Sequence, residues 1–194
     1  SATGCLGAQP SSMPSLAPSY SQPPTSSPTY PAPTRTTPPP PSPSTSWQSE
    51  DQCGGAMRLV GAGTKATITR GSFTNNRGAD GGALCVLDGA EVELVDSTLQ
   101  SNAAFGPGGD NNGTGGALYV GGAGSTATVS GTTVLESNSA HGGGAIAAHD
   151  GASVSLLGAT VSNNVAAAGG GGGLLVTTGA SASADSESAL VANR

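Results

Sequence analysis

Gly143-Gly144-Ala145-Ile146-Ala147-Ala148 opens a segment that closes on Val161-Ser162-Asn163-Asn164, and the chain repeats this pattern five times. Each copy starts with paired glycines, a small residue, an aliphatic and a second aliphatic two places on. The other openings are Gly54-Gly55-Ala56-Met57, Gly81-Gly82-Ala83-Leu84, Gly115-Gly116-Ala117-Leu118 and Gly172-Gly173-Leu174-Leu175. The other closings are Phe73-Thr74-Asn75-Asn76, Leu99-Gln100-Ser101-Asn102, Leu135-Glu136-Ser137-Asn138 and Leu190-Val191-Ala192-Asn193. The units span 54–76, 81–102, 115–138, 143–164 and 172–193, and the links between them vary in length. A constant unit with variable links is what stacking demands, because units must match in register while a link can bulge into solvent.

Strand, not helix, suits these units. Of the 32 glycines only Gly4 and Gly7 precede Gly54, and each glycine costs a helix roughly 1 kcal/mol. Apolar residues instead alternate, as Met57/Leu59, Leu84/Val86, Leu118/Val120, Ile146/Ala148 and, more weakly, Leu175/Thr177. Between them stand Arg58, Cys85, Tyr119, Ala147 and Val176, a row expected to face solvent. A second alternating run follows in Ala66/Ile68, Val92/Leu94 and Val154/Leu156, and Phe73, Leu99, Leu135, Val161 and Leu190 supply a third inward contact. Three short strands per unit describe one rung of a parallel β-helix, so the expected fold is all-β with about five rungs.

The repeated non-aliphatic positions then acquire mechanical roles. Paired glycines reach φ > 0 at a corner where rungs lie about 4.8 Å apart. The closing Asn76, Asn102, Asn138, Asn164 and Asn193 are expected to tolerate the left-handed region and to stack their amides as a ladder. Asp88-Gly89, Asp150-Gly151 and Thr178-Gly179 mark another corner, with Gly61 to Gly63 and Gly121 to Gly124 in its place elsewhere. End rungs leave unpaired strand edges, which the arm, another chain or further sequence is expected to cover.

The pairing of GGA-[ILM] with FxxN resembles the repeats of polymorphic outer membrane proteins. Gly143-Gly144-Ala145-Ile146 and Phe73-Thr74-Asn75-Asn76 carry the full motifs, and the likeness covers residues 54–193. The resemblance implies a right-handed parallel β-helix on a cell surface, adhesive or structural, and implies no catalytic residues.

The N-terminal quarter is of different material. Every proline but Pro107 lies between Pro10 and Pro43, among Ser, Thr and Tyr. Such a stretch cannot bury a core and is expected to form an extended, polyproline II-like arm over 10–53, with 1–9 as the tail of a preceding segment. Its densest part, Thr36-Thr37-Pro38-Pro39-Pro40-Pro41-Ser42-Pro43-Ser44, resembles hydroxyproline-rich segments of plant and green-algal wall glycoproteins. That likeness implies hydroxylated and glycosylated Pro38, Pro39, Pro40, Pro41 and Pro43, and O-glycosylated Ser42 and Ser44. From Pro10 to Trp47 a polyproline II path would reach up to about 118 Å at roughly 3.1 Å per residue. Five rungs at about 4.8 Å make a body only about 24 Å tall, so an ordered arm would lie on neighbouring molecules.

Net charge is −6 with 9% charged residues, which leaves neither a basic stripe for nucleic acid nor lysines for an anionic membrane surface. No apolar stretch is long enough for a membrane-spanning helix. Three cysteines leave one odd in an oxidising compartment. Counted along an extended strand, Cys53 and Cys85 fall five residues apart in register, on the order of 15 Å, beyond disulfide reach. A Cys5–Cys53 bridge is therefore expected, with Cys85 a free or intermolecular thiol.

Candidate sites are few. Polysaccharide-cleaving β-helices need clustered acids, whereas the outward row here carries none. Asp88 and Asp150 read as turn residues, and His141 and His149 as surface histidines without metal-ligand spacing. Asp110-Asn111-Asn112-Gly113 lacks the distal glutamate of a calcium loop. No catalytic residue, metal or cofactor is expected. Asn112-Gly113-Thr114 is an N-glycosylation sequon in the longest link, 103–114, where a glycan on Asn112 would project clear of the stack. The leading expectation is a structural protomer of an extracellular filament, cell wall or flagellar surface, bearing covalent glycans and partnered by its own copies or other glycoproteins. A surface adhesin or carbohydrate-binding module is the alternative; a polysaccharide lyase or hydrolase is the weakest.

Overall fold

The computed structural model describes residues 53–194. The tail 1–9 and the arm up to Gln52 lie outside the described residues. With them go Cys5, Pro38, Pro39, Pro40, Pro41, Pro43, Ser42 and Ser44.

The described residues form a parallel β-helix of five rungs. The first strand of each rung is Met57–Val60, Leu84–Leu87, Leu118–Gly121, Ile146–His149 and Leu174–Val176, and these make one five-stranded sheet. The second strands are Lys65–Thr69, Glu91–Val95, Thr126–Ser130, Ser153–Leu157 and Ser181–Ala184; the third are Ser72–Thr74, Thr98–Gln100, Val134–Glu136, Thr160–Ser162 and Ala189–Val191. Each set pairs in parallel and in chain order, so equivalent residues stand in columns. The links are not plain loops. Arg77–Gly78, Ala103–Ala104, Ser139–Ala140 and Val165–Ala166 form a fourth, four-stranded sheet of two-residue strands, too short for alternation to show.

Alternation places the core. The columns Leu84–Leu118–Ile146, Val92–Ala127–Val154, Leu94–Val129–Leu156 and Leu99–Leu135–Val161 run through the middle three rungs at 0–2% exposure. Each Leu, Ile or Val buried this fully contributes about 1.5–3 kcal/mol as an upper estimate. At the fifth rung, among the described residues, Val176, Leu190 and Val191 remain 39%, 48% and 54% exposed.

The two glycines of each opening do different jobs. The first takes positive φ, from 55° to 80°, at Gly54, Gly81, Gly115, Gly143 and Gly171. The second keeps ordinary φ, but a Cβ on Gly82, Gly116 or Gly144 would drive into the carbonyl oxygen of the second glycine one rung on. The middle three corners thus need glycine for two separate reasons, torsion and close approach.

The fifth rung starts one residue earlier than the spacing suggests. Ile146 pairs with Leu174, Ala147 with Leu175 and Ala148 with Val176, so the opening is Gly171-Gly172-Gly173-Leu174. Leu174 and Val176 point inward and Leu175 joins the outward row, which reverses the expected Leu175/Thr177 assignment. A run of five glycines, Gly169 to Gly173, followed by two leucines offers either frame, and backbone pairing selects one.

Cysteine pairing also differs. Cys53 is bonded to Cys85, with Cα atoms 5.6 Å apart, in place of the expected Cys5–Cys53 bridge and free Cys85. The five-residue separation assumed extended chain between Cys53 and Arg58, the register partner of Cys85. The chain instead turns at Gly54, φ 80°, and its backbone passes over the outward side of the second rung. An added Cβ on Gly54 would lie 3.0 Å from Cys85 Cβ. The same folding-over explains why Cys85 and Ala147, expected to face solvent, are 0% exposed.

Candidate functional site

Three places on the stack gather polar side chains: the closing corner, the outward face of the first sheet, and the groove beside the 103–114 link.

At the closing corner the five asparagines form one continuous ladder. Asn76, Asn102, Asn138 and Asn164 each donate from backbone N and from Nδ2 to Oδ1 of the next asparagine, at 2.9–3.0 Å. Nδ2 also donates backward: Asn102 to Phe73 O, Asn138 to Leu99 O, Asn164 to Leu135 O and Asn193 to Val161 O. Asn102, Asn138 and Asn164 are fully buried. The left-handed residue is not the ladder asparagine but its predecessor, namely Asn75, Ser101, Ser137, Asn163 and Ala192, at φ 53–58°. That turn swings the asparagine side chain inward. A second inter-rung relay runs beside it, as Gly71 N donates to Ser97 Oγ and Ser97 N to Thr133 Oγ1. These groups are saturated by one another and serve the stack.

On the outward face, Tyr119 is half-buried and lies along its own strand over Gly121, where an added Cβ would fall 2.6 Å from ring atom Cε1. One rung on, the His149 ring stacks against it with centroids 5.3 Å apart and planes 23° apart. His149 Nδ1 is 2.7 Å from Thr177 Oγ1, and its buried Nε2 has no hydrogen-bond partner among the described residues. Burial pushes the Tyr119 hydroxyl up to about 12, with the negative charges of Asp80 and Asp150 adding to the shift. His149 is thus half-buried and stacked, not the surface side chain expected, and one face of Tyr119 is unavailable to a ligand. Asp88 and Asp150 sit at positive φ, 56° and 54°, in the turns expected of them. Among the described residues no group of three His, Cys, Asp or Glu could hold a metal ion.

The longest link makes the third place. Phe105 follows the short strand Ala103–Ala104, and a single 3-10 turn, Pro107–Gly109, carries the chain outward. Asn112 N reaches back to Asp110 Oδ1 at 3.3 Å, and Asn112 itself is exposed. The chain rejoins the stack through Thr114, whose N and Oγ1 both donate to Asp80 Oδ1 at 2.7 and 3.0 Å. The sequon asparagine therefore stands out from the body, while its threonine is anchored to the rung before. Between this link and the 165–170 link lies a groove of about 150 Å³ with Ala104 and Ala140 among its lining. Phe105, Asn111, Ser139, His141 and Ala167 complete it, so neither a carboxylate nor a Lys or Arg faces in. The Arg77 guanidinium sits over the Phe105 ring, 5.1 Å from its centroid. His141 is held by its backbone, donating from N to Gly113 O and accepting from Ala168 N and Gly169 N. The spacing gave no warning of this groove, because its members come from three rungs and share no motif.

No protein-family model, curated protein or solved structure matches the chain.

Proposed function

We propose that this chain is a structural protomer of an extracellular glycoprotein filament or wall, its β-helix serving as a stiff block and its Pro-rich arm contacting neighbouring molecules. The observation that carries the proposal is the asparagine ladder. Five copies of one side chain, the middle three fully buried, hold rung to rung, which is the chemistry of a rod and not of a site. The Cys53–Cys85 bond supports an oxidising compartment. The exposed Asn112 of the sequon, and the hydroxyproline-rich-like stretch Pro38 to Ser44, support covalent glycans there. The likeness to polymorphic outer membrane protein repeats fits the same surface location.

Sedimentation of the full chain over a range of concentrations, with intact-mass analysis of native material, tests this reading. Reversible higher oligomers and a mass above 18.4 kDa are expected. A monodisperse, unmodified monomer whose arm is cut at once by protease would rule it out. A surface adhesin is the second reading, favoured only by the uncharged groove beside residues 103–114; a polysaccharide-cleaving enzyme has no supporting cluster among the described residues.

A further inference from the structure

We infer that the fifth rung of one copy of this chain receives the first rung of a second copy, joining the β-helices head to tail. The inference rests on the protomer reading above and names the two faces by which protomers meet.

Charge separates the ends of the stack. Four of the five Lys and Arg in residues 53–194 stand in the first rung, as Arg58, Lys65, Arg70 and Arg77, and residues 54–78 hold no acid. All four are exposed. Lys65 is bonded to Glu91 and Arg77 lies over a ring, whereas Arg58 and Arg70 make no ion pair among the described residues. The fifth rung, 171–193, carries Asp185 and Glu187 and no base. Both acids sit in the corner between its second and third strands, the corner that carries Arg70 in the first rung. Joining like ends opposes like charges, and joining unlike ends pairs them. Arg194 is the exception, since it follows Asn193 as Arg77 follows Asn76 and would meet it.

The hydrogen bonds left over at the two ends are complementary as well. Along the ladder each asparagine donates from N and Nδ2 to Oδ1 of the next. At the first rung Asn76 Oδ1 receives no donor from a described residue. At the fifth, Asn193 N is without a described acceptor, and Nδ2 uses one hydrogen, on Val161 O. Spare donors at one end and a spare acceptor at the other are the two halves of the bond already made four times within the stack. The same register sets Leu174 on Met57, Ala184 on Ile68 and Leu190 on Phe73, continuing three apolar columns. It would cover Leu190, now 48% exposed, and pair the edge strands of three sheets. Repetition of an unlike-end contact yields an open filament, whereas a like-end contact stops at a dimer.

Two experiments on the full chain test the inference, with circular dichroism to check that each variant keeps the fold. The first follows self-association by sedimentation in Arg70→Glu and in Glu187→Arg, both exposed side chains without a hydrogen bond of their own among the described residues. Each variant alone should associate about tenfold more weakly than wild type. An equal mixture of the two should recover, because the altered first rung then meets the altered fifth and the other contact is the wild-type pair. Arg194→Ala, which removes the like-charge pair, should strengthen association. The second experiment oxidises a Thr74→Cys, Val191→Cys double variant. These positions share a column but lie four rungs apart in one chain, about 19 Å at about 4.8 Å per rung, so only two copies can bring them together. A series of cross-linked dimers, trimers and longer species is expected in the double variant and not in either single one. Cross-linked dimers from Val191→Cys alone would set fifth rung against fifth rung and overturn the inference. Association unchanged in both charge variants, with no cross-linked series, would overturn the end contact while leaving assembly through the arm standing. Failure of the wild-type chain to associate at any concentration would overturn both readings. Native material whose peptide map shows further glycine-paired rungs after Asn193 would put the chain's own sequence on that end and overturn the second-copy assignment.

Discussion

Asn138 donates from both its backbone N and its Nδ2 to the single Oδ1 of Asn164, each at 2.9 Å, while that same Nδ2 reaches back to Leu99 O. One amide thereby joins three rungs. Its own Oδ1 takes the two matching bonds from Asn102.

Replacing Asn138 by Ala leaves Asn102 N, one Asn102 Nδ2 hydrogen and Leu99 O without partners in a dry interior. Each buried orphan costs about 1–3 kcal/mol, so a loss of about 3–4 kcal/mol is expected. Asn193→Ala, in the half-covered fifth rung, should cost clearly less. Urea unfolding of both variants measures the difference; equal losses would show that burial does not govern the ladder.

The Cys53–Cys85 bond closes a separation of 32 residues. On the chain-entropy account this stabilises by about 3–4 kcal/mol. Peptide mapping without reductant should recover Cys53 joined to Cys85, and the Cys53→Ser, Cys85→Ser double variant should melt well below wild type. Recovery of Cys5 joined to Cys53 would contradict the geometry.

Gly121→Ala puts a methyl 2.6 Å from Cε1 of Tyr119 and 2.9 Å from its hydroxyl oxygen, so the ring must leave its place on His149. A cost of about 1–2 kcal/mol is expected. In the background of Tyr119→Ala most of that cost should vanish, and strict additivity in the double-mutant cycle would refute the contact.

Tyr119 also governs the alkaline limb. Its folded value of about 12 lies above the unfolded 10.0, so the native state holds the proton longer. The stabilisation is complete below pH 10 and is lost as pH rises from there toward 12. Phenolate absorbance should show one tyrosine ionising late, and Tyr119→Phe should abolish that component while flattening the alkaline fall in stability.

At the acid end the sign reverses. Thr132 donates from N and Oγ1 to Asp96 Oδ1 at 2.9 and 3.1 Å, holding that carboxyl below its ordinary 3.8. Ser188 Oγ, with Gly158 N, does the same for Asp185. Both contributions are present above pH 3.8 and fade as pH falls through the lowered folded values. The urea midpoint of Asp96→Asn should therefore decline less steeply with acid than that of wild type; parallel declines would rule out the linkage.

What could be read without coordinates was whatever recurs. Leu84, Leu118 and Ile146 repeat at one place in the unit, as do the ladder asparagines, so periodicity alone put them on one face and in one column. The fifth opening failed because Gly169 to Gly173 carries no mark of phase. The cysteine pairing failed because strand arithmetic treats Gly54 as extended, whereas its positive φ folds the chain over the next rung. Asn75 and Ser101, not Asn76 and Asn102, take the left-handed turn, since the ladder residue must aim its side chain inward. The groove was invisible for a deeper reason: Phe105, Asn111 and His141 are brought together by link geometry, which obeys no repeat.

The Cys53–Cys85 bond encloses residues 54–84, all of the first rung and the opening of the second, within a covalent ring. Tension arriving along the chain from the N-terminal side at Cys53 therefore passes through sulfur to Cys85 and enters the fold at the second rung. The first rung hangs outside the path of the load. A pull that would otherwise peel the stack open strand by strand from its edge must instead shear the strand Leu84–Leu87, buried at Leu84, Cys85 and Val86, against neighbours on both sides.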